Sequence, residues 1–265
     1  MPMMVGSVVA VSHVQHPSEP SPFPNIGRTY SRERRVRLGD VTPKGRLRLD
    51  AVARYLQDIA TDDALDGKYD DPHGWVVRRT EMWVHHFPKY LDDLKLTTWC
   101  GGVGSHWAER RTRIEIVGGG EPVAIEAAAL WVRVDLQTLK PLQLSERFRE
   151  LIGVSAAGRK VSARLLVGRD VPDSADAGAH FSQPLRFTDF DAVGHLNNAV
   201  YWEPLEEYLA LHRHRRAPLH ATVEHHRSVE PGAKLTVAVH ELGTRTVLHV
   251  CDGDETASYV QVVTE

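Results

Sequence analysis

The 265-residue sequence has only two cysteines, Cys100 and Cys251. Two thiols so far apart make neither a disulfide framework nor a paired metal-binding pattern. A reducing, cytoplasmic setting is the simplest expectation. No apolar run approaches the roughly 20 residues of a membrane span, so none is expected. No Lys or Arg precedes the mildly apolar stretch Met1–Val11 and no cleavage-type site follows it, so no signal peptide is expected either. Basic charge is not in excess: the formal net charge is −3, which argues against nucleic acid as a partner. The histidines His212, His214, His220, His225 and His226 cluster without paired ligand spacing, so no metal is expected.

The composition that is present, 42% hydrophobic and 25% charged, is that of an ordinary globular protein. The length fits two domains of roughly 100–150 residues each. An internal repeat supports that division. Asp40, Gly45 and Leu47 align with Asp189, Gly194 and Leu196 at a constant offset of 149 residues. Leu56-Gln57-Asp58 falls on Leu205-Glu206-Glu207 at the same offset.

Each unit reads alike. A strand (30–38; 179–187) leads into an Asp/Gly turn and then a helix. The first helix starts near Asp50, a candidate N-cap, with Val52, Tyr55, Leu56 and Ile59 at helical spacing. The second starts at Asn197 or Asn198. Pro204 predicts a kink or a late start there, because it removes a helical hydrogen bond. Strands follow at 75–86, 94–99, 107–117 and 122–134, and again at 221–229, 234–241, 245–252 and 258–264. Gly and Pro punctuate them. One helix followed by hairpin-like strands predicts an α+β fold, the helix lying across an antiparallel sheet. Two such units can join edge to edge. The expected organisation is a flexible N-terminal segment over residues 1–28, a first domain over 29–142, a linker over 143–178 and a second domain over 179–265.

The segment Asp189-Phe-Asp-Ala-Val-Gly-His-Leu-Asn-Asn-Ala-Val-Tyr201 resembles the Asp-x-Asp-x-Asn-x-His-Val-Asn-Asn-x-x-Tyr signature of the acyl-acyl-carrier-protein thioesterases of plants and bacteria. Leu56-Gln-Asp58, Trp75-Val-Val-Arg78 and Thr98-Trp-Cys100 resemble that family's first half. The resemblance implies two tandem hotdog domains, each a long helix packed on an antiparallel sheet. The first would house the acyl chain and the second the catalysis. It implies that Asp191 is the catalytic carboxylate and His195 the active-site histidine. Two positions depart from the family: Val193 stands where it has Asn, and Ser228-Val229 where it has Glu-Cys. Glu224, His226 and Glu230 are the candidates to complete the site.

Thioester hydrolysis needs an activated water, a polarised carbonyl and a held acyl chain. Asp191 can act as base or orient the water, helped if burial against Ala192 and Val193 raises its pKa. His195 can donate to the carbonyl oxygen. Backbone N–H groups at Asn197 and Asn198, where a helix begins, can form an oxyanion site. Tyr201, Val193, Leu56 and Trp75 are the expected substrate-contacting residues. No cofactor is required. The expected substrate is a fatty acyl thioester on acyl-carrier protein or coenzyme A, and the expected state a monomer or homodimer. Turn and cap chemistry alone would also explain an Asp/Gly turn followed by Asn-Asn. A non-catalytic acyl-thioester binding protein and a hotdog hydratase or dehydratase are the alternatives, the latter disfavoured by Asn-Asn-x-x-Tyr. The basic runs Arg213–Arg216 and Arg110–Arg113 are candidates for docking an acidic carrier, or simply solvated charge.

Overall fold

A computed structural model describes residues 20, 22–69, 71, 73–173, 176–212 and 215–264. Arg213 and His214 of the second basic run, and most of the N-terminal segment, lie outside the described residues. The first half contains β1 (Thr29–Arg35), α1 (Leu49–Asp66), β2 (Gly74–Val84), β3 (Asp93–Val103), β4 (Trp107–Ile116) and β5 (Val123–Val134). A linker with the short helix α2 (Glu146–Leu151) follows. The second half contains β6 (Ala179–Gln183), α3 (Glu203–Leu211), β7 (Leu219–His225), β8 (Leu235–Leu242), β9 (Arg245–Asp252) and β10 (Glu255–Thr264).

All ten strands form one antiparallel sheet, ordered β1-β3-β4-β5-β2-β7-β10-β9-β8-β6. The second half repeats the first in reverse order, so the halves meet at β2 and β7. The seam pairs Arg79 with Glu224 through Val84 with Leu219. The joining of the two units edge to edge is thus realised, and the fold is the predicted α+β arrangement.

Alternation decides which face carries the helices. On β7, Leu219, Ala221 and Val223 belong to the main core, while His220, Thr222 and Glu224 point the other way. The core joins these to Met82 and Val84 of β2, to Val52, Tyr55, Leu56 and Ile59 of α1, and to Leu205 and Tyr208 of α3. Each such side chain, fully buried, stabilises by roughly 1.5–3 kcal/mol. The opposite face is also covered. Glu224 accepts from the backbone N–H groups of Leu166 (2.9 Å) and Val167 (3.0 Å), and a Cβ on Gly168 would collide with the Tyr259 ring. The linker is therefore strapped across that face.

Three expectations need correction. Asp50 is not the N-cap of α1: the helix starts at Leu49, and Asp50 is buried in its first turn between Arg48 and Arg54. The free N–H of Leu49 is taken instead by the Glu206 carboxylate of the other half, at 2.6 Å. The lead-in is not loose as far as residue 28, because the Phe23 ring packs on Trp99 with centroids 5.0 Å apart. The strands 30–38 and 179–187 end early, at Arg35 and Gln183, where tight turns closed by Asp40 and Asp189 begin. The late helix start holds: a 3-10 turn at Val200–Trp202 precedes α3, which places Pro204 in the first turn. No helix among the described residues is long and apolar enough to cross a membrane.

Candidate functional site

The segment 189–198 folds as a small hairpin ahead of α3. The Asp189 carboxylate accepts from the N–H of Arg186 at 2.7 Å, and its carbonyl accepts from Asn197 N–H at 2.9 Å. Asp191 and His195 face each other across the hairpin, with Asp191 N–H donating to His195 O at 3.0 Å. The turn closes through Gly194 N–H to Asp191 O, also 3.0 Å. Gly194 has φ +89°, a region that side chains resist. The first half builds the same object. Thr42 N–H donates the equivalent bond to Arg46 O at 2.8 Å, and Gly45 has φ +81°. Asp189, Gly194 and Leu196 therefore belong to the scaffold that both copies share.

The differences between the copies sit at the side chains. Thr42 replaces Asp191, Arg46 replaces His195 and Arg48 replaces Asn197. In the first copy Arg46 grips Glu206 bidentately, at 3.0 and 2.6 Å, and that carboxylate also caps α1. At the equivalent place near the second copy stands Gln57, whose amide donates to Asn197 Oδ1 at 3.1 Å. Asn197 Oδ1 also accepts from Ala199 N–H at 2.9 Å, closing a local turn; the N-cap of the 3-10 turn is Ala199 and that of α3 is Trp202, so neither Asn197 nor Asn198 is the helix cap expected from sequence. Each half thus contributes one helix side chain to the other half's turn. The helix of the other half meets the first turn with an ion pair and the second with a neutral amide.

The structure sorts the predicted residues. The Asp191 carboxylate is partly exposed and accepts from the N–H of Val193 at 2.9 Å. Val193 is 75% exposed and Ala192 is exposed as well, so neither walls the carboxylate, contrary to expectation, and Val193 lines no described cavity. The reason is the turn itself, which points its tip at solvent. His195 Nε2 lies 3.7 Å from Glu230 Oε1. Among the three candidates to complete the site only Glu230 is near: Glu224 holds the linker, and His226 meets the Tyr259 ring edge-on at 5.3 Å. Ser228 is exposed, while buried Val229 accepts from Leu196 N–H at 2.9 Å. Asn198 is half-buried where the second helical segment begins. Tyr201 is buried against His225, with rings edge to face at 4.8 Å. Burial, together with Arg78 and His226, pushes His225 down to about 3.

A cavity of about 520 Å3 lies between α1 and the first-half sheet, lined by Ala60, Ala64, Leu65, Trp75, Trp131 and Phe148 among others. Trp75, one of the residues expected to contact substrate, lines this cavity. Leu56 does not: it points into the main core, and the stripe that lines the cavity, Ala60-Thr61-Ala64-Leu65, lies on another face of the helix. Gln57 heads that stripe at helical spacing, one turn before Ala60 and Thr61. Neither Gln57 nor Glu206 was singled out from sequence, although the alignment of Leu56-Gln57-Asp58 with Leu205-Glu206-Glu207 contained both. A second depression, about 550 Å3, is lined by Phe187, Phe190, Asp191 and Pro231. A third, about 890 Å3, lies beside α3 and β6, away from the hairpin, and is lined by charged groups including Glu203, Glu207 and His212. Among the described residues no group of three or more His, Cys, Asp or Glu is arranged to hold a metal. Both thiols are free. Burial pushes Cys100 up to about 11 and raises Cys251 too, so neither is an activated nucleophile.

Residues 27–152 match the acyl-ACP thioesterase N-terminal domain and residues 174–264 the C-terminal domain. The chain belongs to the acyl-ACP thioesterase family. It is a thioester hydrolase acting on fatty acyl thioesters. A relative in Mycobacterium tuberculosis, the uncharacterized protein Rv2001, is 27% identical over 234 residues, 88% of this chain and 90% of its own. The chloroplastic acyl-[acyl-carrier-protein] hydrolase FATB3 of Cuphea viscosissima is 28% identical over 48% of this chain and 31% of its own. Two solved structures share the fold. The 12:0-ACP thioesterase from Umbellularia californica superposes with TM-score 0.72 and 20% identity, over 89% of this chain and 96% of that one. An acyl-ACP thioesterase from Bacteroides thetaiotaomicron superposes with TM-score 0.74 and 18% identity, over 89% and 98%.

Proposed function

We propose that the thioesterase works at the second-half hairpin, with Asp191 as base, His195 and Glu230 beside it, and the acyl chain lying along α1. The observation that carries this reading is the hydrogen bond from Gln57 to Asn197. It ties the turn that bears Asp191 and His195 to the head of the helix stripe lining the 520 Å3 cavity. A thioester carbonyl held near Asn197 and Asn198 would have its chain directed down that stripe.

The chemistry then runs without a cofactor. Asp191 accepts a proton from water as the water oxygen bonds to the acyl carbon. His195 and the Asn198 N–H stabilise the oxygen that gains charge, the N–H groups of Asn197 and Ala199 being held by Asp189 O and Asn197 Oδ1. The C–S bond breaks, the proton goes to the departing sulfur, and a free fatty acid and the carrier thiol remain. Glu230 orients His195. The thiol arm of the carrier occupies the depression around Asp191, Phe190 and Pro231. Acyl-carrier protein is the proposed carrier, coenzyme A the second, and the cytoplasm the setting.

Val193 and Ser228, standing where the family has polar catalytic side chains, favour one competing reading: a protein that binds acyl thioesters without turning them over. Release of free thiol from acyl-carrier-protein and coenzyme A substrates of several chain lengths separates the two. We expect release by wild type and a fall in kcat of roughly 10²–10⁴ in Asp191→Asn with the fold intact. Undiminished turnover in that variant would place the base elsewhere. No turnover by wild type on any substrate would leave the binding reading.

A further inference from the structure

We propose that the α1 cavity selects acyl groups carrying a hydroxyl or keto oxygen well along the chain, and that Arg110 is the residue that recognises that oxygen. The proposal rests on the thioesterase reading above and deepens it.

An unsubstituted fatty chain needs an apolar wall. Ala60, Ala64, Trp75 and Phe148 provide one, but Arg110 of β4 lines the same cavity. Its Nη1 donates to Asp63 Oδ2 at 2.6 Å and to Thr98 Oγ1 at 3.2 Å. A guanidinium carries five N–H donors, and these bonds use Nη1 alone. Nε and Nη2 have no partner among the described residues, and the side chain keeps 19% of its exposure. That exposure opens into the cavity, because Arg110 sits on the sheet face that meets α1 through Asp63. Asp63 does not call for the remaining donors: its other oxygen is held by Arg28 at 2.7 Å.

The carboxylates of the surrounding wall are already paired with other arginines. Asp71 is taken by Arg133 at 2.7 and 2.9 Å, and Glu109 by Arg111 and Arg159, both at 2.7 Å. Trp131, diagonal to Arg110 across the β4–β5 pair and lining the same cavity, has its Nε1 buried with no partner among the described residues. The cavity therefore has donors in excess. A plain hydrocarbon chain would bury the Arg110 donors against methylenes, whereas an oxygen on the chain satisfies them. A site built to hydrogen-bond a group discriminates strongly against the analogue lacking it. The position follows from the helix. Asp63, which fixes the guanidinium, lies six residues beyond Gln57, about 9 Å along the axis. The recognised oxygen is thus far from the thioester.

The test compares pairs of acyl-carrier-protein thioesters of equal length, one plain and one bearing a mid-chain hydroxyl or keto group. In wild type we expect kcat/KM roughly tenfold higher for the oxygenated member. Arg110→Met should bring the ratio to about one, chiefly by raising KM for the oxygenated substrate. Arg110→Lys keeps a cation for Asp63 but loses the planar fork, so it covers the case in which Arg110→Met does not fold. Equal or better turnover of the plain chain by wild type overturns the proposal, as does a preference that survives both variants. If wild type hydrolyses neither substrate, the thioesterase reading fails by itself. Calorimetric binding of the two free acids to wild type and Arg110→Lys then decides. Tighter, Arg110-dependent binding of the oxygenated acid sustains the cavity assignment, and equal binding overturns it.

Discussion

His225 should make the folded chain acid-labile over a defined pH window. Its ring is 7% exposed and packs edge-on against Tyr201 at 4.8 Å, and its Nε2 has no partner among the described residues. Arg78, at a bulge in β2, donates to the carbonyl oxygens of His225 and His226 at 2.7 and 3.2 Å, which brings a positive charge close to the imidazole. Burial first, then Arg78 and His226, hold its pKa down at about 3. In the unfolded chain the ring titrates near pH 6.5. Between those values the unfolded state binds a proton that the folded state refuses, so stability falls as pH falls. At pH 5 the gap already used is roughly 1.5 units, on the order of 2 kcal/mol at 1.36 kcal/mol per unit. Near pH 3 it approaches about 5 kcal/mol, a large share of an ordinary domain's stability. The perturbation is His225→Phe, which keeps a ring against Tyr201 and cannot titrate. Urea unfolding of both proteins at pH 7, 6 and 5 reads the difference. Wild type should lose about 2 kcal/mol more than the variant between pH 7 and 5. Parallel loss in both proteins would refute the reasoning.

The contact of Glu206 with the first half and the turns themselves give a second set of tests. Glu206→Ala leaves Arg46 without its carboxylate and Leu49 N–H without its cap, and should cost on the order of 3 kcal/mol in chemical unfolding. Gly194→Ala and Gly45→Ala should each cost roughly 1–2 kcal/mol, since both glycines hold positive φ, but only the former should lower kcat. Equal kinetic effects would mean the second turn is not the catalytic one. Glu230→Gln should lower kcat at most about fivefold with KM unchanged, because Glu230 is 73% exposed and an exposed ion pair is worth ~1 kcal/mol or less. A loss of a hundredfold would make Glu230 a proton carrier and not an orienting group.

The repeat at offset 149, the Asp/Gly turn of each half and the displaced start of α3 were legible in the sequence, because each is set by local chemistry. An Asp that caps its own turn and a Pro that cannot sit inside a helix act over a few residues. So does the alternation that gives each strand an inner face. The asymmetry that leaves Asp191 and His195 in one turn only was legible for the same reason. What tertiary structure decided is which distant groups those turns meet. Alternation does not name a strand's partner, and only the packed sheet joined β2 to β7 and reversed the second half against the first. That reversal carries Glu206 to the N-terminus of α1 and Gln57 to Asn197. It brings Glu230 to His195 in place of Glu224 or His226. It turns Leu56 into the core while Ala60 and Ala64 face the cavity. Arg110 read as one charge in a basic run, and only the approach of α1 turned it inward with unused donors. Contacts of this kind depend on how two helices lie on one continuous sheet, and no spacing within a single segment encodes that.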